Sequence, residues 1–360
     1  MKKVLRGAKR RLSAGKIALR ILTVFLVTVM LVLLTLLAAI FLLEKGPSTA
    51  ARDMFVSTVR ETSAVGFLAN FFLTDAEIAA IENTPVEDVY VPTDTTLINI
   101  ESPAERAADP SGHWTLSDLG LTDEDDDGII LDKVAGEGYS GFMLIVRNPA
   151  RVIMGSVVES FGHRGYTVAE LVAHFDAVAG MNAGGFQDPN GQGNGSLPNS
   201  TLVFDGTLYY DSWGNGTGFA GFDDKHILHV GQYSRQDIID NNIQYGAAFG
   251  PVLVANGVAK DDSFFNEAVN PRTAIGQRAD GAVLMLVIDG RQVTSLGARY
   301  SDLVKVMLRY GAVNACNMDG GSSSMMWYQG GYVNNTSSVV GIRPIPSSWL
   351  VLKEEAVSNG

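Results

Sequence analysis

The first pattern along the chain is an uninterrupted apolar run. Residues 21–43 contain no charged side chain, and their only polar side chains are three threonines. At about 1.5 Å per residue, a helix of this length measures roughly 35 Å, which is enough to cross a hydrocarbon core of about 30 Å. A buried helix of a globular protein would normally show a polar face. The run therefore predicts a transmembrane helix at 21–43.

The residues on either side of this helix predict its orientation. Residues 1–20 carry eight Lys or Arg side chains and no acid, so the positive-inside rule places this basic tail in the cytoplasm. A cleaved signal peptide is the alternative, since Ser48 and Ala50 are small residues beyond Leu43. The apolar core of a signal peptide is usually only about 7 to 15 residues long. We therefore expect an uncleaved signal anchor in the cell membrane and an extracytoplasmic remainder.

Residues 44–128 show short helical patterns and then a polar run. Residues 52–72 have the apolar spacing of a helix, and Thr74 with Glu77 forms a capping box that predicts a second short helix through Ile81. Four prolines interrupt the polar residues that follow. We expect a juxtamembrane stalk or strap here rather than an independent domain.

The pattern changes at residue 129, where short apolar segments separated by turn residues predict strands. The segments 272–278, 282–288 and 292–295 are separated by Asp-Gly pairs, which are strong hairpin signals. Together they predict an antiparallel meander.

Two helical patterns, at 167–178 and 301–310, each lead into an apolar strand. Because strands and helices mix without a repeating βαβ period, the chain predicts an α+β fold. We expect a mixed, largely antiparallel β-sheet core with flanking helices over residues 129–352, followed by a C-terminal tail at 353–360.

Composition and charge narrow the possible functions. The apolar fraction is 46% and the charged fraction 18%, which excludes a mainly disordered chain. Residues 1–45 carry a net charge of +8 and the rest of the chain −20. A domain this acidic is a poor nucleic-acid binder, because contacts to phosphates need cations. Cys316 is the single cysteine, so no intramolecular disulfide can form, and we expect this thiol in the core.

Familiar catalytic motifs are absent or incomplete. The sequence has no GxxxxGK phosphate loop and no HExxH zinc pair. Residues 191–195 match only part of a dinucleotide-binding fingerprint and belong to a polar loop at 187–199. Residues 320–324 fail the serine hydrolase template, because Ser324 stands where the second glycine belongs. We therefore expect no cofactor.

The acidic run at 123–128 has part of the pattern of a calcium loop. Asp123, Asp125, Asp127 and Gly128 occupy positions 1, 3, 5 and 6 of an EF-hand loop. Position 12, which needs a bidentate glutamate, is Val134, and no convincing flanking helices are predicted. A solvated acidic turn is the favoured interpretation, so we expect no metal.

Three polar, glycine-rich segments, 180–186, 270–276 and 317–323, lie directly at the ends of apolar strands. Glycine lets a ligand approach the backbone and exposes amide N–H groups to anions. Arg272 offers a planar guanidinium for phosphate or carboxylate, and Asp319 is a candidate acid, base or acceptor for sugar hydroxyls. The alternatives are that Asp319 belongs to one more hairpin turn and that Arg272 pairs with a surface acid.

In their order along the chain, these segments resemble the phosphodiester glycosidase family, whose bacterial members are often described as exopolysaccharide-related. The similarity extends over about residues 129–352. The segments that carry it are 139–151, 182–186, 249–251, 270–276 and 317–323. The resemblance implies a hydrolase that cleaves a sugar-1-phosphodiester at the anomeric carbon and releases a free sugar and a phosphomonoester. An N-acetylglucosamine-1-phosphodiester in a cell-surface polysaccharide or glycoconjugate is an example of such a substrate.

The resemblance also implies the site. Arg272 would neutralise charge on the departing phosphate together with glycine amides, and Asp319 would hold sugar hydroxyls or orient the attacking water. The expected substrate-binding residues are Asn182, Gly184, Gly185, Phe186, Thr273, Gly320, Gly321, Ser322 and Ser323. A noncatalytic glycan-binding or exopolysaccharide-assembly protein that uses the same pocket is the alternative.

Overall fold

The computed structural model describes residues 13–62, 65–82, 91–100, 119–188, 193–210, 218–262, 265, 268–338 and 341–354. Several predictions concern residues outside these ranges. They are those for the first twelve residues of the basic tail, for residues 63–64 of the helical pattern, for residues 83–90 and 101–118 of the stalk, for residues 189–192 of the polar loop and for residues 355–360 of the C-terminal tail.

Six α-helices are found in the described part of the chain. They are α1 (Ala14–Lys45), α2 (Thr49–Arg60), α3 (Asp75–Glu82), α4 (Val168–His174), α5 (Arg235–Asp240) and α6 (Tyr300–Arg309). Helix α1 contains the predicted apolar run and is long and apolar enough to span a bilayer. The predicted capping box is present before α3, where Thr74 Oγ1 accepts from the Glu77 amide and Glu77 Oε2 accepts from the Thr74 amide.

Seventeen strands follow in the described residues, and all of their pairings are antiparallel. They are β1 (Ile129–Gly136), β2 (Tyr139–Val146), β3 (Val152–Gly155), β4 (Ala177–Asn182), β5 (Leu202–Phe204), β6 (Thr207–Tyr209), β7 (Gly218–Phe222), β8 (Leu228–Gly231), β9 (Tyr245–Phe249), β10 (Val252–Ala255), β11 (Val258–Ala259), β12 (Arg272–Arg278), β13 (Val283–Ile288), β14 (Ala312–Met318), β15 (Met326–Tyr328), β16 (Gly331–Tyr332) and β17 (Ser348–Leu352). The predicted α+β class with a largely antiparallel core is confirmed.

The strands form three sheets. A seven-stranded sheet has the order β1-β2-β13-β12-β14-β10-β11, and two five-stranded sheets have the orders β16-β15-β4-β17-β3 and β6-β5-β9-β7-β8. One apolar core draws side chains from all three sheets, among them Met285, Cys316 and Trp349, all with no exposed surface. A second core lies between the seven-stranded sheet and α6, where Leu303 and Met307 are fully buried. Burial of Cys316 agrees with the sequence prediction.

Two local predictions are wrong. The third segment of the meander, 292–295, forms only an isolated bridge between Gln292 and Ser295, and the chain leaves the sheet after β13. The place expected for this segment beside β13 is taken instead by β2, through a long-range pairing. The helix expected at 52–72 ends at Arg60, and a separate 3₁₀ turn follows at Gly66–Asn70. The apolar spacing at 52–72 therefore continues across two separate elements.

Candidate active site

The ends of three strands that are far apart in the sequence meet at one place. Strand β12 begins where β14 ends, because Thr273 pairs with Met318. Strand β4 ends beside them at Asn182, and the Asp319 amide donates to the carbonyl oxygen of Ala183 at 3.0 Å. The three glycine-rich segments predicted from the sequence are therefore neighbours in the structure.

Asn182 fixes the segment that carries Asp319. Its Nδ2 donates to the backbone oxygen of Asp319 at 2.6 Å. Its Oδ1 accepts from Thr273 Oγ1 at 2.9 Å and from the Met325 amide at 3.1 Å. Because Asn182 and Thr273 are both buried, these contacts position the backbone rather than meet a ligand.

A cavity of about 600 Å³ opens at the junction, within the size range of small-molecule sites. The predicted site residues that line it are Gly185, Phe186, Arg272, Asp319, Gly320, Gly321, Ser322 and Ser323. The other three predicted residues, Asn182, Gly184 and Thr273, are not part of the lining. Gly184 packs against β9, where a Cβ atom would meet that of Ala247 at 3.0 Å.

Three guanidinium groups line this cavity, from Arg272, Arg291 and Arg343. Arg343 Nη2 lies 2.7 Å from a carboxylate oxygen of Asp188, and its Nη1 donates to Ser322 Oγ at 3.0 Å. Its guanidinium carbon also lies 4.9 Å from the centre of the Phe186 ring. Arginine is well suited to phosphate because its planar fork can donate two hydrogen bonds at once.

Arg272 is held from several sides and only 3% exposed. Its Nε and Nη2 donate to the backbone oxygens of Ala298 and Ala268, at 3.2 and 2.9 Å, and its guanidinium carbon lies 3.9 Å from the centre of the Tyr300 ring. Its Nη1 lies 3.0 Å from Glu61 Oε2. A phosphate that reaches this nitrogen must share it with Glu61 or displace that carboxylate.

The residues that follow α2 form part of the cavity rim. Glu61 also accepts a hydrogen bond from Asn270 Nδ2 at 2.8 Å. Thr62 Oγ1 lies 2.7 Å from Arg291 Nη2, which donates to it and, at 3.0 Å, to Asn270 Oδ1. The segment after α2 therefore contributes directly to the cavity.

Asp319 is the carboxylate at the centre of the converging segments. Burial raises its pKa from an ordinary 3.8 to about 6, and the negative charge of Asp188 acts in the same direction. A hydrogen bond from Ser323 and the positive charge of Arg343 oppose this shift in pKa. A carboxyl group that titrates near neutral pH is suited to proton transfer.

Comparison with known proteins identifies this architecture. Residues 175–352 match the profile of the family described as phosphodiester glycosidase. Residues 175–352 form a domain of the phosphodiester glycosidase family. The sequence resemblance is thereby confirmed.

Two relatives place the phosphodiester glycosidase domain among known proteins. An uncharacterized SPbeta prophage-derived protein of Bacillus subtilis, YomE, is 31% identical over 183 residues, and the match covers 48% of this chain and 27% of that protein. The fold is similar to the zebrafish N-acetylglucosamine-1-phosphodiester alpha-N-acetylglucosaminidase catalytic domain, described as auto-inhibited by its pro-peptide. This match has a TM-score of 0.52 and 19% identity, and covers 65% of this chain and 86% of that one.

Much of the polar lining of the cavity carries no motif in the sequence. Asp188 and Asn199 belong to the polar loop at 187–199, which is the local signal among these residues. The polar lining residues that were not predicted as site residues are Glu61, Thr62, Asp188, Asn199, Arg291, Tyr300, Ser337, Ser338 and Arg343.

Steric contacts explain why two positions in the cavity wall are glycine. Gly321 has a φ of +61°, and a Cβ atom there would lie 3.3 Å from Arg291 Nη2. At Gly185 a Cβ atom would meet Asn199 Oδ1 at 2.9 Å and the Phe249 ring at 3.0 Å. In both places the absence of a side chain keeps the cavity open beside the backbone.

Proposed function

We propose that this chain is a membrane-anchored, extracytoplasmic hydrolase that cleaves the glycosidic bond of a sugar-1-phosphodiester in a cell-surface polysaccharide or glycoconjugate. One observation carries the proposal: three guanidinium groups and a carboxyl group of raised pKa line one cavity of a phosphodiester glycosidase domain. N-acetylglucosamine-1-phosphodiester, the linkage named for the zebrafish relative, is the first substrate to test.

The arginines supply what the leaving group needs. When the bond between the anomeric carbon and the phosphate oxygen breaks, negative charge builds on the phosphate. Arg343 and Arg291 donate to these oxygens, and Arg272 reinforces the positive field from the buried side. Since a phosphomonoester leaves readily as an anion, a dedicated general acid is less necessary than in ordinary glycosidases.

Asp319 handles the proton of the attacking water. The water oxygen forms a bond to the anomeric carbon, and the electron pair of the breaking carbon–oxygen bond passes to the phosphate. One proton of the water moves to the Asp319 carboxylate, so the products are a free sugar and a phosphomonoester. Because this role requires the ionised form, a pKa of about 6 makes Asp319 a competent base at neutral pH.

The packing around the end of α1 supports a site near the bilayer surface. A Glu44 oxygen accepts from the Phe72 amide at 2.8 Å, and the rings of Phe41 and Phe72 meet edge to face with centroids 5.2 Å apart. Phe67 and Phe71 beside them are exposed. With α1 spanning the membrane and the basic tail in the cytoplasm, the cavity would face substrates held at the outer surface.

Free sugar release tests this proposal. We expect the full chain in detergent micelles to release reducing sugar from N-acetylglucosamine-1-phosphodiesters, and the Asp319→Asn variant to release almost none. The alternative is a noncatalytic glycan-binding or exopolysaccharide-assembly protein, which is favoured by the neutralisation of Arg272 by Glu61. Saturable binding without release, across a panel of sugars, would establish that alternative instead.

A further inference from the structure

The acidic loop at 123–128 is separate from the cavity: within the described ranges, none of its residues lines it. One carboxylate oxygen from each of Asp123, Asp125 and Asp127 lies within 4.8 Å of the others. Calcium–oxygen distances are about 2.3–2.6 Å, so two ligands on opposite sides of one Ca²⁺ are separated by roughly 4.6–5.2 Å. The spread of these oxygens matches a single ion.

The sequence favours a solvated acidic turn, but the Asp123 side chain is largely buried. Its side chain is only 7% exposed. Its Oδ2 accepts from the Gly128 amide at 3.1 Å and from Arg147 Nη1 at 3.4 Å, whereas its Oδ1 is buried and has no hydrogen-bond partner among the residues that the structure describes. A buried carboxylate oxygen without a partner is costly, and buried charges in proteins are paired or bind metals.

Asp127 brings the third carboxylate to the cluster from the other end of the loop. Its Oδ1 accepts from the Ile129 amide at 2.8 Å, which holds the side chain in place. One of its carboxylate oxygens lies within 4.8 Å of those of Asp123 and Asp125.

We propose that Asp123, Asp125 and Asp127 bind one Ca²⁺ ion through their carboxylates. Calcium prefers oxygen ligands, takes six to eight of them and tolerates irregular geometry, so water can complete the shell. Since position 12 is Val134 rather than glutamate, we expect weak binding, with a Kd of about 10⁻⁴–10⁻³ M, as in extracellular calcium modules.

The position of the loop indicates a structural role for the ion. Arg151 donates through Nη1 to the backbone oxygen of Asp127 and through Nε to that of Leu352 at 2.8 Å. The Arg147 amide donates to the Gly128 oxygen at 2.9 Å. The loop thus connects the start of β1 and the end of β2, in the seven-stranded sheet, to the end of β17 in the neighbouring sheet. In a chain without disulfides, an ion here would tie two sheets together.

Thermal unfolding of the full chain in detergent micelles tests this site, with CaCl₂ titrated to 10 mM against NaCl of equal ionic strength. We expect Ca²⁺ to raise the Tm by at least about 3 °C at saturation. Asp125→Asn should abolish the shift or move its midpoint at least about tenfold. Asp126→Asn is the matched control, because it removes the same charge from an exposed neighbour outside the cluster, and it should keep the wild-type shift.

Calorimetric titration provides the second readout, and one Ca²⁺ bound per chain is expected. Absence of both heat and Tm shift at 10 mM Ca²⁺ would overturn the proposal. Equal losses in Asp125→Asn and Asp126→Asn would also overturn it, because they would show general charge screening. A larger shift with Mg²⁺ than with Ca²⁺ would contradict the assignment of the ion.

Discussion

Glu61 Oε2 lies 3.0 Å from Arg272 Nη1, so the residue that follows α2 forms an ion pair with the predicted catalytic arginine. Arg272 is buried, whereas the Glu61 side chain is 27% exposed at the cavity rim. The carboxylate therefore stands where an anionic substrate would approach the guanidinium. This relationship makes Glu61 the natural first residue to change.

Glu61→Gln should strengthen substrate binding. The amide oxygen can still accept from Asn270, but the negative charge that competes with a substrate phosphate is removed. We expect KM for a soluble sugar-1-phosphodiester to fall roughly threefold to tenfold with little change in kcat. Glu77→Gln, which breaks the exposed Glu77–Lys45 pair of the same segment, should change neither constant. A rise in KM for Glu61→Gln would instead mean that Glu61 contacts the substrate.

Arg343→Gln should remove much of the leaving-group stabilisation. Loss of a donor aimed at developing negative charge typically lowers the rate by about 10²–10³, and we expect kcat/KM to fall by that factor. Arg343→Lys should recover only part of the loss, because lysine lacks the planar fork. Arg309→Gln on the exposed face of α6 serves as the control. Activity of Arg343→Gln within twofold of wild type would exclude this role.

The pH profile should report the ionisation of Asp319. Because the carboxylate is the active form and its pKa is about 6, kcat/KM should rise between pH 5 and pH 7 with a midpoint near 6. Steady-state rates in buffers of constant ionic strength measure this profile. A rate that falls over the same interval would identify Asp319 as a general acid instead.

Asp319 should also affect stability with a defined sign. Its pKa is higher in the folded state than the ordinary 3.8, so folding favours the protonated form. The stability contributed by this group is full below about pH 4 and is lost as the pH rises through about 6. The Tm of Asp319→Asn minus that of wild type should therefore increase from pH 4 to pH 7.5. A difference independent of pH would contradict the raised pKa.

Asn182→Ala should weaken the framework of the site. The substitution leaves the Thr273 hydroxyl and the Met325 amide without their shared acceptor in a buried region. We expect a loss of about 2–4 kcal/mol in the free energy of unfolding. Thr273→Val removes one donor and should lose less. Denaturant unfolding measures both, and a loss below about 0.5 kcal/mol for Asn182→Ala would show that the loop is held by other contacts.

Local sequence signals were sufficient to predict elements whose structure depends on neighbouring residues. The capping box before α3 and the apolar strand at 312–318 were predicted at their observed positions. The segment 292–295 was mispredicted because an Asp-Gly signal shows that the chain turns, but not which strand lies beside it. The choice of β2 as the second neighbour of β13 depends on distant residues.

The same distinction applies to the site. Glycine-rich strand ends identified the segments of Arg272 and Asp319, because a close backbone approach requires glycine locally. Glu61 and Arg343 reach the cavity only through tertiary packing. The residues that flank them in the sequence therefore contain no motif that predicts a place in the site. The pairing of Arg272 with an acid was an open alternative, and the structure shows that the acid is Glu61, directly after α2.

Hydrolysis in ¹⁸O-labelled water tests the central claim most directly, because the label shows which bond is broken. If water attacks the anomeric carbon of a sugar-1-phosphodiester, mass spectrometry of the freshly released products will find ¹⁸O in the free sugar and none in the phosphomonoester. Unlabelled phosphodiester kept in the same labelled water without enzyme, with added free sugar, corrects for exchange at the anomeric position. Label in the phosphate group would show attack at phosphorus and would contradict the account.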